Sequence, residues 1–94
     1  MGENETYLNR VVLVGVSWVD GRDQVVRQRE FYGRIEAIDP DRGIDLRLPD
    51  GELFTLPPYL SALQPADPGE YTLQSTREVI RDPDFLTVWR LQDR

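Results

Sequence analysis

A chain of 94 residues with 39% apolar content has the size of one small domain, burying roughly 60 to 68% of its unfolded surface. A formal charge of −6 and a pI near 4.5 set most of its surface against a phosphate backbone, so sequence-independent nucleic-acid binding is disfavoured. With no Cys and no His, disulfides, thiolate chemistry, ordinary zinc sites and Ser-His or Cys-His catalysis are excluded.

In chain order, Met1 to Asn9 is polar and acidic, with Tyr7 and Leu8 as its only sizeable apolar residues. It lacks the basic and apolar regions of a signal peptide, and no apolar run reaches the length of a membrane span. Residues 1–6 are therefore expected to form a flexible tail, 7–91 one domain and 92–94 a second tail, in a cytoplasmic protein with no membrane association. Val11 to Val19, VVLVGVSWV, predicts a strand partly covered on both faces, with a bend or bulge at Gly15. Asp20-Gly21 marks a turn. The polar run Arg22 to Glu30 reads either as a long loop or as solvent-facing strand extensions.

Phe31 to Ile38 alternates as a strand, which predicts Phe31, Gly33, Ile35 and Ala37 on the core face and Tyr32, Arg34, Glu36 and Ile38 opposite. Asp39-Pro40-Asp41-Arg42-Gly43 reverses the chain. Ile44, Leu46 and Leu48 then face the core, with Asp45 and Arg47 toward solvent, and Asp50-Gly51 forms a hairpin into Glu52 to Leu56. Pro57-Pro58 stops that strand, and Tyr59 to Leu63 is expected to make one helical turn. Gln64 to Glu70 reads as a loop, Tyr71 to Ser75 and Val79 to Ile80 as short strands broken between Ser75 and Glu78, and Phe85 to Leu91 as the closing strand.

This pattern predicts an all-β fold: a small antiparallel barrel of five to six strands with one short 3₁₀ or α turn near residues 58–63. The runs VGVSWVDG, FYGRIEAID and GIDLRL resemble the first motif of Sm-like proteins, with Gly33, Ile35, Ile38 and Asp39 in the motif positions. The hairpins followed by Pro-Pro-Tyr and a helical turn also resemble an SH3-type barrel. Where Sm-like proteins place an Asn that holds RNA, this chain has Arg42, Gly43 and Ile44, and no Arg-Gly pair follows Leu56.

Asp39, Asp41, Asp45 and Asp50 have a spacing that suggests a hard-cation loop, but the fifth and sixth positions counted from Asp39 are Gly43 and Ile44, which does not fit an EF-hand. They read more simply as turn formers, with no metal or cofactor expected. Glu36 and Asp45 alternate with Arg34 and Arg47, which points to cross-strand ion pairs rather than acid–base work. Among the aromatics, Trp18, Phe31, Tyr32, Phe54, Tyr59, Tyr71, Phe85 and Trp89 exceed what a small core hides, so part of the set reaches the surface.

The leading expectation is a noncatalytic module for protein interaction or self-association, acting through exposed tyrosines and an open strand edge. Its candidate partner-binding residues are Tyr32, Tyr59, Trp18, Arg27, Arg29 and Arg34. The competing reading makes Trp18 and Trp89 core anchors and sets the tyrosines over the barrel ends, and takes the Arg22, Arg27, Arg29 and Arg34 group as a solvated loop interleaved with acids. The alternative function is a divergent Sm-like nucleic-acid-binding barrel that uses the arginine-rich loop and aromatic stacking. A carboxylate-dependent hydrolase ranks below both, since it needs a concave pocket with convergent acids.

Overall fold

A computed structural model describes residues 6–74 and 76–93. The expected N-terminal tail, apart from Thr6, lies outside the described residues, as do Ser75 in the expected strand break and Arg94. Among the described residues eight strands follow in order, with a 3₁₀ turn between the fourth and the fifth: β1 (Val11–Val19), β2 (Val25–Asp39), β3 (Gly43–Arg47), β4 (Leu53–Leu56), the turn Leu60–Ala62, β5 (Gln64–Pro65), β6 (Glu70–Thr72), β7 (Val79–Arg81) and β8 (Phe85–Gln92). Among the described residues no helix is long and apolar enough to cross a membrane.

The fold is all-β. Six strands form one sheet in the order β4-β3-β2-β1-β8-β5, and β6 and β7 pair separately. The expected all-antiparallel arrangement is corrected at one place: β8 runs parallel to β1, from Val12 beside Phe85 to Val19 beside Gln92. Side-chain alternation carries no information on strand direction, so a parallel neighbour reads like an antiparallel one. Asp84 fixes the start of this pairing, its backbone N–H donating to the Val11 carbonyl at 2.9 Å and its carboxylate accepting the Val11 N–H at 2.8 Å. The sheet is not closed, and β4 and β5 are its two edges.

Of the polar run Arg22 to Glu30, the part from Val25 on is strand. β2 pairs with β1 from Val25 to Arg34 and with β3 from Arg34 to Asp39, so Arg34 is shared by both neighbours. One face of the sheet gathers Val12, Val14, Val16, Phe31, Ile35, Ile44, Leu46, Leu48, Leu56 and Leu63 into one buried cluster. Gly33 lies close against Leu46, Arg47 and Leu48, so that a side chain there would have to displace them.

Three further expectations are corrected. Gly15 lies in regular register opposite Glu30, and the irregularity in β1 falls between Trp18 and Val19 instead. Ala37 is exposed while Ile38 packs on the core, because Ile35 faces Leu46 and Ala37 faces Asp45, leaving Glu36 as an extra residue that inverts the alternation. Asp45, expected in solvent, is buried to 9% exposure. Its carboxylate accepts the Thr55 hydroxyl at 2.7 Å and lies 3.6 Å from Arg42, which satisfies the charge where it is buried.

Pro57-Pro58 ends β4 and the 3₁₀ turn follows at Leu60–Ala62. The segment expected as a loop contains the two-residue β5, paired with β8. The β6–β7 hairpin buries Leu73 and Ile80 apart from the main cluster. It is tied to β2 by the Tyr32 hydroxyl, which donates to Glu78 at 2.8 Å, and by the Gln74 N–H, which donates to Glu30 at 2.6 Å.

Candidate functional site

Strand alternation divides the six candidate residues. Arg27 and Arg29 share a face of β2 with Phe31 and Ile35, whereas Tyr32 and Arg34 lie on the other. Trp18 continues the series Val12, Val14, Val16 on β1 and is paired in register with Arg27. Beyond the close-packed core, where the sheet projects toward solvent, these side chains meet.

The Arg27 guanidinium lies over the Trp18 ring, 4.2 Å from its centroid, and Arg29 lies over Phe31 at 4.8 Å. Each such contact contributes about 0.5–1 kcal/mol at an exposed site. Across the sheet, Trp89 stands beside Val16 and Leu91 beside Trp18. Tyr59, arriving after Pro57-Pro58, stacks on Trp89 with centroids 6.4 Å apart and planes 28° apart. One face thus carries Arg27 and Arg29, then Trp18, then Trp89 and Leu91, and finally Tyr59.

This face is only partly spent on stability. Trp18, Trp89 and Leu91 are half-buried against the core cluster, as the core-anchor reading of the tryptophans requires, while Tyr59 remains 60% exposed. The Trp89 indole N–H is buried with no hydrogen-bond partner among the described residues. Arg27 and Arg29 have loose acidic neighbours, Asp93 at 3.6 Å and Glu52 at 3.9 Å, pairs too long and too exposed to hold them firmly. Trp89 and Leu91 belong to this face although neither is among the partner-binding residues expected from the sequence. The parity of Trp89 with Thr87 and Leu91 was readable, but nothing local to Trp89 or Tyr59 places one over the other.

Tyr32 and Arg34 are engaged within the fold. The Glu78 carboxylate accepts the Tyr32 hydroxyl, which raises the Tyr32 pKa, with burial adding to the shift. Arg34 donates to the Asn9 carbonyl at 2.9 Å. Both line a shallow cleft of about 390 Å³ with Glu36, Arg47 and Pro49. Within that lining Arg47 and Glu36 form a bidentate pair in which Arg47 donates to Glu36 at 3.1 and 2.7 Å, and Arg47 also donates to the Gly51 carbonyl at 2.7 Å.

The acidic residues are spread among local bonds. Asp39 accepts the backbone N–H groups of Asp41 at 2.8 Å and Arg42 at 3.0 Å, and Asp50 accepts that of Glu52 at 2.9 Å. These are the bonds by which Asp stabilises a turn. Among the described residues no three acids are gathered where they would hold a metal ion.

No family model, curated protein or solved structure matches this chain. Its functional reading therefore stands on the geometry alone.

Proposed function

We propose that this chain is a noncatalytic protein-interaction module built on a divergent small barrel of SH3 or Sm-like type. The barrel reading is supported by the meander β1 to β4, by Gly33 packed closely against Leu46 and Leu48 from the long β2, and by the 3₁₀ turn after Pro57-Pro58. The parallel β8 and the open edges are its departures from the two families' pattern.

The observation that carries the functional reading is the face on which Tyr59 stacks on Trp89 and Arg27 stacks on Trp18. Half-buried aromatics flanked by Arg are the side chains that dominate protein contacts, because they bury large apolar area at small entropic cost and keep polar edges for hydrogen bonds. Tyr59 and Trp18 supply the apolar contact. Arg27 and Arg29 receive carboxylates or backbone carbonyls of a protein segment, exchanging their loose intramolecular acids for closer ones. Tyr32 and Arg34, on the other face and bonded to Glu78 and Asn9, serve the scaffold in this reading.

The test is capture from the source lysate on immobilised wild type, Tyr59→Ala and Arg27→Glu, each with and without nuclease. The expected result is a nuclease-resistant protein retained by wild type and lost from both variants. Equal capture by Tyr59→Ala contradicts the reading, and material released by nuclease favours the nucleic-acid alternative.

A further inference from the structure

The two edges of the sheet are not equivalent. β5 is two residues long, Gln64–Pro65, and Pro65 has no N–H to offer an incoming strand. β4 is Leu53-Phe54-Thr55-Leu56, without a charge, a proline or a bulge, the devices by which natural edge strands discourage pairing. Its one hydrogen-bonded neighbour among the described residues is β3, and Leu53 is 42% exposed.

Hydrogen-bond parity fixes which backbone groups that edge presents. The Leu48 N–H donates to the Glu52 carbonyl, and Leu46 and Ile44 stand opposite Phe54 and Leu56. Antiparallel ladders alternate, so Phe54 and Leu56 turn their N–H and C=O groups toward β3, and Leu53 and Thr55 turn theirs outward.

We infer that a second copy of this chain adds to β4 through the same strand, in a closed two-fold dimer centred on Phe54. In that register Leu53 pairs with Thr55 of the other copy and Thr55 with its Leu53, which makes four N–H···O=C bonds and sets the two Phe54 residues opposite one another. Glu52 falls opposite Leu56, so no like charges meet across the pair despite the −6 carried by each chain. Neighbouring registers fail on their own residues. A centre on Glu52 opposes two carboxylates, a centre on Thr55 brings Leu53 opposite Pro57, which has no N–H, and a centre on Leu53 leaves Thr55 facing Gly51 in the hairpin turn. Head-to-tail growth from β4 to β5 stops at Pro65, so the assembly closes at two chains instead of extending.

This inference rests on the reading of the chain as an interaction module, and names the occupant of one edge. Sedimentation equilibrium over a wide concentration range tests it with the wild type, Leu53→Lys and Leu53→Pro. Leu53→Lys places a charge on the edge, and Leu53→Pro removes an outward N–H that β3 does not use. The wild type is expected at twice the 10.9 kDa chain mass, and Leu53→Lys, with an unchanged circular dichroism spectrum, at the mass of one chain. Leu53→Pro, where folded, is expected to match it. A wild type that stays at one chain mass throughout, or a Leu53→Lys variant that still dimerises, overturns the inference. Both Leu53 variants leave the Tyr59 face untouched, so a monomeric wild type that still captures its partner through Tyr59 refutes the dimer and not the face.

Discussion

Gly33 lies against Leu48 so closely that a Cβ on Gly33 would stand 2.9 Å from Leu48 Cδ2 and 3.1 Å from both the Arg47 carbonyl oxygen and Leu46 Cβ. The Leu48 methyl can swing away, but Leu46 Cβ and the Arg47 carbonyl belong to the β3 backbone and its buried face. Gly33→Ala should therefore destabilise the fold by about 1–3 kcal/mol, as overpacking of a tight core does. A lowered urea midpoint with unchanged slope is the expected readout. Gly15 is the control, since a Cβ there meets nothing within 4 Å, and Gly15→Ala should leave the midpoint unchanged or raise it slightly.

The Tyr32–Glu78 bond predicts how the β6–β7 hairpin responds to pH. A Tyr32 pKa raised above its ordinary 10.0 by Glu78 means that the neutral phenol stabilises the docked hairpin. The contribution is complete below pH 10 and is lost as pH rises through the folded value. Tyr32→Phe should cost at most about 1 kcal/mol at neutral pH, with its difference from wild type vanishing in strong alkali. Amide exchange at Thr72 and Val79 in the hairpin should quicken in Tyr32→Phe before exchange in β1 does.

Asp39 gives the acid limb. Backbone N–H groups of Arg42 and then Asp41 hold its carboxyl below the ordinary value of 3.8. A depressed folded pKa stabilises fully above the unfolded value and is lost as pH falls through the folded one. Wild type should melt above Asp39→Asn at neutral pH, and the gap should close as the solution is acidified below that ordinary value. A gap that persists or widens in acid contradicts the assignment of Asp39 as an ionised turn former.

Much of the fold was legible because alternation and turn chemistry agree along most of the chain. Ile44 and Leu46 announce β3, Asp50-Gly51 its hairpin, Pro57-Pro58 the end of β4, and Phe85 to Leu91 the strand β8. What escaped the sequence depends on a neighbour. The extra residue at Glu36 turns Ala37 out and Ile38 in, yet nothing in EAID distinguishes a bulge from a regular strand. Asp45 is buried because Thr55 and Arg42 arrive to satisfy it, a fact of tertiary pairing. The direction of β8 was unreadable for the same reason. Within the candidate site, the separation of Tyr32 and Arg34 from Arg27 and Arg29 follows from parity alone. The approach of Tyr59 to Trp89, from beyond the 3₁₀ turn's neighbouring prolines, required the fold.

The chain has two tryptophans, Trp18 and Trp89, and both lie on the proposed face, so its intrinsic fluorescence reports on that face directly. The most direct measurement is therefore a titration of the folded protein with its captured partner, followed by tryptophan emission. The account predicts a saturable shift in wild type that is abolished or strongly weakened in Tyr59→Ala. A partner that binds with full affinity while tryptophan emission stays unchanged, in wild type and variant alike, would contradict it.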